Sequence, residues 1–163
     1  MRLGVALIVV ATLVAGAAEA ASAQAAALVQ TPHAQFFQLA NGRGRAVVAR
    51  RGALLVNARY ARIRVVDLVG DGRPQRDCNK PGVDVSDTTV EYRGWNIRCR
   101  VSSAEGGGPW QVIIRGRGIY ASGVARGSLT LDAPAEGRRG RYRIGDGPLR
   151  RWPREATTFV LRR

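Results

Sequence analysis

Short stretches of alternating apolar and polar residues, separated by glycine- and proline-rich turns, constrain this chain more than any other feature of its sequence. In Arg62-Ile63-Arg64-Val65 the apolar side chains share one face and the arginines the other, as is typical of a half-buried β-strand. Such strand signals recur about every ten residues, and helical spacing flanked by caps is absent beyond the N-terminal segment. The sequence therefore predicts an all-β domain, either a single antiparallel β-sandwich or a small β-barrel of about seven or eight strands.

The segment from Val90 to Val101 alternates in the same way, but its phase changes once. Val90 and Tyr92 are inward, whereas the inward positions after Gly94 are odd-numbered and begin with Trp95. This change predicts a bulge or bend at Gly94. We expect Trp95 and Trp110 to be core side chains, and Arg98 and Arg100 to face outward.

The first 23 residues have the three parts of a secretory signal peptide. Arg2 is followed by an apolar run of 16 residues and then by Ala21-Ser22-Ala23, a small-residue cleavage site. The run is shorter than the roughly 20 residues that a bilayer span needs, although an uncleaved anchor is the alternative. The sequence thus predicts a secreted or extracytoplasmic protein, in the periplasm or at the cell surface, with no membrane span in the mature chain.

The mature chain divides into two parts by composition. Residues 24–42 are rich in alanine and glutamine without a clear period, which predicts a linker or a loosely ordered first strand. Residues 43–163 carry the strand signals and form the predicted all-β domain, which is large enough for one core.

Cys78 and Cys99 are the two cysteines of the chain, and an even pair in an exported protein predicts a disulfide bond. The bond would close a loop of about 20 residues and stabilise the fold by about 3 kcal/mol. The alternative, a reactive thiol, needs a neighbouring base. The single histidine, His33, lies in the N-terminal segment, which favours the structural disulfide.

Positive charge is in large excess and is unevenly distributed. The chain has 26 Lys and Arg against 12 Asp and Glu, a net charge of +14. Residues 43–64 and 138–163 are each +7, whereas residues 67–91 are −3. Such an excess is expected of a protein that meets an anionic partner or depends on charge for solubility.

Arginines recur two residues apart in several of the predicted strands, which places each pair on one face of its strand. Neighbouring pairs would repel one another, and a polyanion such as a wall polymer, lipid head groups or extracellular nucleic acid would relieve this repulsion through bidentate guanidinium contacts. The pair Arg43 and Arg45 lies among glycines and is expected in a turn. The predicted polyanion-binding residues are Arg62, Arg64, Arg98, Arg100, Arg115, Arg117, Arg141, Arg143 and Trp152.

The arginine pairs and Trp152 each have an alternative interpretation. The arginine pairs could lie on different sides of the domain as an ordinary solvated surface. Trp152, between arginines in Arg150-Arg151-Trp152-Pro153-Arg154, could stack on a base or sugar, or it could be a loop anchor that plugs the end of the β-structure.

Enzymatic function receives little support from the sequence. Motifs for a nucleophilic serine, a zinc protease, a phosphate loop or a dinucleotide site are absent, so we expect no catalysis, no cofactor and no metal. A carboxylate-dependent hydrolase is an alternative, since two carboxylates suffice for glycoside hydrolysis. A structural or partner-binding module with an exposed apolar patch is another. The acids available to a hydrolase are Asp67, Asp71, Asp77, Asp84, Asp87 and Glu91.

Overall fold

The computed structural model describes residues 35–70, 74–103, 108–133 and 140–162, which form one antiparallel sheet of eight strands. The main path across the sheet is β2-β4-β1-β5-β8, while β3 pairs with β4, and β6 pairs with both β1 and β7. The predicted all-β class is confirmed. In chain order the strands are β1 (Gln35–Asp67), β2 (Gln75–Cys78), β3 (Gly82–Ser86), β4 (Thr89–Ser102), β5 (Trp110–Asp132), β6 (Arg141–Ile144), β7 (Arg150–Arg151) and β8 (Thr157–Leu161).

The two long strands, β1 and β5, form the centre of the sheet and pair with each other on both edges of β5. Residues 110–125 of β5 pair with residues 52–67 of β1 on one edge and with residues 35–50 on the other. Arg50 and Gly52 are nearly adjacent in β1, yet they pair with Trp110 and Ala125, at opposite ends of this stretch. The β5 strand must therefore curve around a common core.

The architecture differs from both of the predicted alternatives. A sandwich needs two sheets packed face to face, and a barrel needs a sheet that closes on itself. The described strands instead form a single sheet that is not closed, with β2 and β8 at the two ends of its main path. The double pairing of β1 and β5 supplies the curvature that allows one sheet to enclose its own core.

The concave face of the sheet carries the core. Trp110 is buried as expected, with 1% of its surface exposed, and its Nε1 donates a hydrogen bond to Ser103 Oγ at 3.0 Å. Residues 35–42, which the composition assigned to a linker or a loosely ordered first strand, begin β1 and bury Phe37 and Leu39. The other large, fully buried side chains are Leu54, Ile63, Ile97, Ile114, Ile119, Leu129, Leu131, Trp152 and Leu161.

A row of irregular residues crosses the sheet and changes which side chains point inward. Arg59 of β1, Asn96 of β4 and Gly118 of β5 are all skipped by the strand pairing, and Asn96 and Gly118 have φ angles of 49° and 61°. We call these three residues the bend row. Because the change of phase falls at Asn96 rather than at Gly94, Trp95 points outward and 54% of its surface is exposed. The prediction that Trp95 is a core residue is wrong for this reason.

The predicted disulfide bond is confirmed. Cys78 of β2 lies opposite Cys99 of β4 in the strand register, and their sulfur atoms are bonded. Cys99 is buried, so the bond fastens the short edge strand β2 to the core. The predicted signal peptide, its predicted cleavage site and His33 lie outside the described residues. Among the residues that are described, no helix has the length and apolar character needed to cross a membrane.

Candidate anion-binding site

Two of the predicted arginine pairs are neighbours on the convex face of the sheet. Arg62 of β1 lies directly opposite Arg115 of β5, and Tyr60 lies opposite Arg117. Directly opposite side chains share a face, with Cβ atoms about 5 Å apart. The structure therefore brings Arg62, Arg64, Arg115 and Arg117 together on one surface.

Arg43 and Arg45 join this surface, contrary to the prediction that they lie in a turn. Both are within β1, where they pair with Arg117 and Arg115 on the other edge of β5. The glycines around them suggested a turn, but the strand continues through this segment because β5 pairs with it. Arg43 is exposed and Arg45 is partly buried.

Arg93 of β4 completes a line of four arginines across adjacent strands. It lies opposite Arg62, which lies opposite Arg115, which in turn lies opposite Arg45. We call these four residues the arginine row. At about 4.8 Å between strands, the row spans about 14 Å at the level of the backbone.

An exposed aromatic pair lies in the next line of outward side chains. The rings of Tyr60 and Trp95 are 5.0 Å apart between centroids and tilted by 54°. The guanidinium carbon of Arg117 lies 5.9 Å from the Tyr60 centroid and 5.1 Å from the Trp95 centroid. These residues, with Arg43 and Gly116, line an open depression of about 480 Å³. The term arginine–aromatic face denotes Arg43, Arg45, Arg62, Arg64, Arg93, Arg115, Arg117, Tyr60 and Trp95.

Glu91 is held by arginines at the edge of this face. Its carboxylate oxygens lie 2.6 Å from Arg64 Nε, 2.8 Å from Arg93 Nη2 and 3.4 Å from Arg62 Nε. The hydrogen bond from Arg64 lowers the pKa of Glu91; burial opposes this effect, and Arg93 and Arg62 reinforce it. Glu91 is thus a structural counter-ion. The seven arginines of the arginine–aromatic face and two nearby acids, Glu91 and Asp132, give this region a net charge of +5. Asp132 lies opposite Arg45.

The remaining predicted arginines lie elsewhere on the molecule. Arg98 and Arg100 are beyond the bend row, in an open groove of about 560 Å³ that Tyr120 also lines. Arg143 of β6 donates a hydrogen bond from Nη2 to Gln38 Oε1 at 3.1 Å, and Arg141 pairs in register with Ala40 and Arg151. The predicted set is therefore divided between the surface that carries Arg62 and Arg115 and other parts of the sheet.

Trp152 is not available to stack on a ligand. Only 2% of its surface is exposed, and its Nε1 donates a hydrogen bond to the backbone oxygen of Arg141 at 3.1 Å. Its ring lies against Gly42, and a side chain at position 42 would collide with the ring. The burial of Trp152 contradicts the interpretation that it stacks on a polyanion and supports the alternative of a loop anchor, because the ring holds the segment after β7 against β1.

Two of the acidic residues named for the hydrolase alternative, Asp67 and Glu91, have hydrogen-bond partners in the structure. Asp67 accepts hydrogen bonds through Oδ1 from the backbone nitrogens of Val69 and Gly70, at 3.1 and 3.0 Å. A general acid requires a raised pKa, whereas that of Glu91 is lowered. Asp77 lines the groove beyond the bend row, and Asp71 is outside the described residues. Within the described ranges, no cluster of three histidine, cysteine or acidic residues could hold a metal.

Five members of this surface were not predicted from the sequence: Arg43, Arg45, Arg93, Tyr60 and Trp95. Only the strand register shows that they are neighbours, and the register was not predictable from the alternation alone. No protein-family model, curated protein or solved structure matches this chain. The class that the fold and the site define is an all-β, disulfide-linked protein with a basic and aromatic convex surface.

Proposed function

We propose that this protein binds an extended polyanion outside the cytoplasm, without catalysis, through the arginine–aromatic face. The arginine row is the observation that carries the proposal. Directly opposite like charges destabilise a sheet, and each arginine in the row has at least one arginine opposite it. A row of anionic groups would remove this repulsion and would gain bidentate hydrogen bonds with the guanidinium groups.

The composition and the disulfide bond support the same proposal. Codon preference can exchange lysine for arginine, but it does not create the net charge of +14, which favours association with anions. The Cys78–Cys99 bond is compatible with an oxidising, extracytoplasmic location. The ligand would be a polymer or a surface, since the face spans four strand positions and the depression beside Trp95 is open.

Two charge-matched variants test the proposal. The face variant carries glutamine in place of Arg43, Arg62, Arg115 and Arg117, and the control variant carries glutamine in place of Arg98, Arg100, Arg141 and Arg143. Each loses four positive charges, so a response to net charge alone would be equal in both. The probe is end-labelled inorganic polyphosphate, with binding followed by fluorescence anisotropy.

If four ionic contacts are lost, the affinity of the face variant at about 0.1 M salt falls by a factor on the order of 10² to 10³, while the control variant stays within a few-fold of wild type. Circular dichroism verifies that both variants are folded. Equal losses in the two variants, or no binding by the wild-type protein at low salt, would contradict the proposal.

A partner-binding module is the second candidate, and one observation favours it. All five residues of β3 are exposed, and Val83 and Val85 expose 67% and 53% of their surfaces. Exposed apolar side chains on an edge strand are typical of a surface that another chain covers. Replacing Val83 and Val85 with threonine would abolish binding to a protein partner and would leave polyphosphate binding unchanged.

A further inference from the structure

We propose that the polyanion is single-stranded nucleic acid, with bases stacking on Trp95 and Tyr60 while the neighbouring arginines hold phosphates. This inference rests on the proposed polyanion-binding function and specifies its ligand. Proteins that bind single strands without sequence preference combine a basic surface with exposed aromatic rings, because every base offers a π-face. The arginine–aromatic face has both components in adjacent lines of side chains.

The exposure of the aromatic pair has no explanation in the packing of the core. Trp95 and Tyr60 expose 54% and 41% of their surfaces, although large aromatic rings contribute most to stability when they are buried. Trp95 points outward because the phase changes at Asn96, a non-glycine residue with a φ angle of 49°. Asparagine is enriched among the non-glycine residues that adopt this backbone conformation, so Asn96 suits the bend that turns Trp95 outward.

Arg117 links the aromatic pair to the arginine row. Its guanidinium group lies within 6 Å of both ring centroids, a distance at which cation–π attraction holds it. A guanidinium group that stacks on a ring keeps its in-plane N–H donors free for an anion. Arg117 can therefore hold a phosphate beside a base that stacks on the exposed part of the Trp95 ring.

The aromatic pair favours single strands over polyanions that have no ring. Polyphosphate, glycerol-phosphate polymers and lipid head groups have no planar ring and would make no use of Trp95 and Tyr60. Duplex DNA keeps its bases stacked inside, and only a helix, strand ribbon or loop that enters a groove can reach their edges. The broad convex face of a sheet instead suits a flexible strand whose bases are unpaired and can turn outward.

The test compares an oligothymidylate with an abasic deoxyribose-phosphate oligomer of the same length and charge. The oxidised wild-type protein should bind the oligothymidylate more tightly. Trp95→Ala should weaken oligothymidylate binding about 5- to 150-fold, the range reported by alanine substitution at stacking positions, and should leave binding to the abasic oligomer unchanged. Tyr120→Ala, which removes an equally exposed aromatic ring in the groove beyond the bend row, is the matched control and should have no effect.

The outcomes separate this inference from the proposed function. Equal binding of the two oligomers, with no effect of Trp95→Ala, would overturn the nucleic-acid assignment. The arginine–aromatic face would then remain a polyanion site. A duplex that binds as tightly as the single strand, independently of Trp95, would also overturn it, as would a sulfated polysaccharide that binds more tightly through Trp95. If neither oligomer nor polyphosphate binds, the proposed function itself fails.

Discussion

Replacing Arg115 with glutamine should stabilise the unliganded protein. Arg115 lies opposite Arg62 on one edge of β5 and opposite Arg45 on the other, so its charge has a like charge on each side. If the sheet pays a free-energy cost for this arrangement, removing the central charge should recover part of it. Most surface substitutions are neutral or destabilising, and a gain in stability is therefore a distinctive result.

The size of the gain follows from the geometry. For two guanidinium groups taken to be about 7 Å apart in water, the repulsion is about 0.6 kcal/mol per pair before screening. Screening is weak at about 0.01 M salt and removes roughly half of the repulsion at about 0.1 M. Glu91 beside Arg62 and Asp132 opposite Arg45 offset part of it. We expect a gain of about 0.5 to 1 kcal/mol at low salt and about half as much at the higher salt.

Urea denaturation of the oxidised protein at the two salt concentrations measures this difference. Arg100→Gln is the matched control, because Arg100 lies between Leu55 and Asp77 in the register and has an acidic neighbour instead of two arginines. It should lose about 0.2 to 0.5 kcal/mol. If Arg115→Gln is no more stable than Arg100→Gln, or if its gain is the same at both salt concentrations, the reasoning from cross-strand repulsion is refuted.

Three further predictions concern stability. Glu91→Gln should destabilise the protein at neutral pH. Because the pKa of Glu91 is lowered on folding, the difference in unfolding free energy from wild type should persist above the ordinary glutamate pKa and diminish as the pH falls through the folded-state pKa. Urea titrations at several pH values measure this difference, and a difference that does not change with pH would mean that the ion pairs are unimportant. Replacing Cys78 and Cys99 with alanine should cost about 3 kcal/mol, which calorimetry would register as a clearly lower Tm; an unchanged Tm would contradict the anchoring of β2. Trp152→Ala should cost about 3 to 5 kcal/mol as a core truncation, whereas Trp95→Ala should cost much less, and equal losses in denaturant titrations would contradict the assigned burial.

The all-β class was predictable because it depends on local sequence patterns, and the disulfide bond was predictable from the number of cysteines. Alternation such as that of Arg62 to Val65 reports directly on which side chains are buried, and two cysteines leave one possible pairing. The open, curved sheet was not predictable in this way. It results from the pairing of β1 with both edges of β5, which is a contact between segments distant in sequence.

The candidate site was predicted in part. The arginine pairs were visible in the sequence, but their division between the arginine–aromatic face and other surfaces depends on the strand register. Trp95 was missed because the phase changes two residues after Gly94, at Asn96. The sequence left Trp152 open between a ligand contact and a loop anchor, because the space that it fills is created by Gly42, a residue more than a hundred positions earlier in the chain.

The salt dependence of binding tests the central claim most directly, because it counts ionic contacts. For a single-stranded ligand, the logarithm of the binding constant falls with the logarithm of salt concentration by about 0.7 for each phosphate contact. If the arginine–aromatic face is the binding site, the slope for the face variant should be shallower than that of wild type by about 3, and the slope for the control variant should equal that of wild type. Identical slopes for all three proteins, or a loss in the control variant as large as in the face variant, would contradict the account.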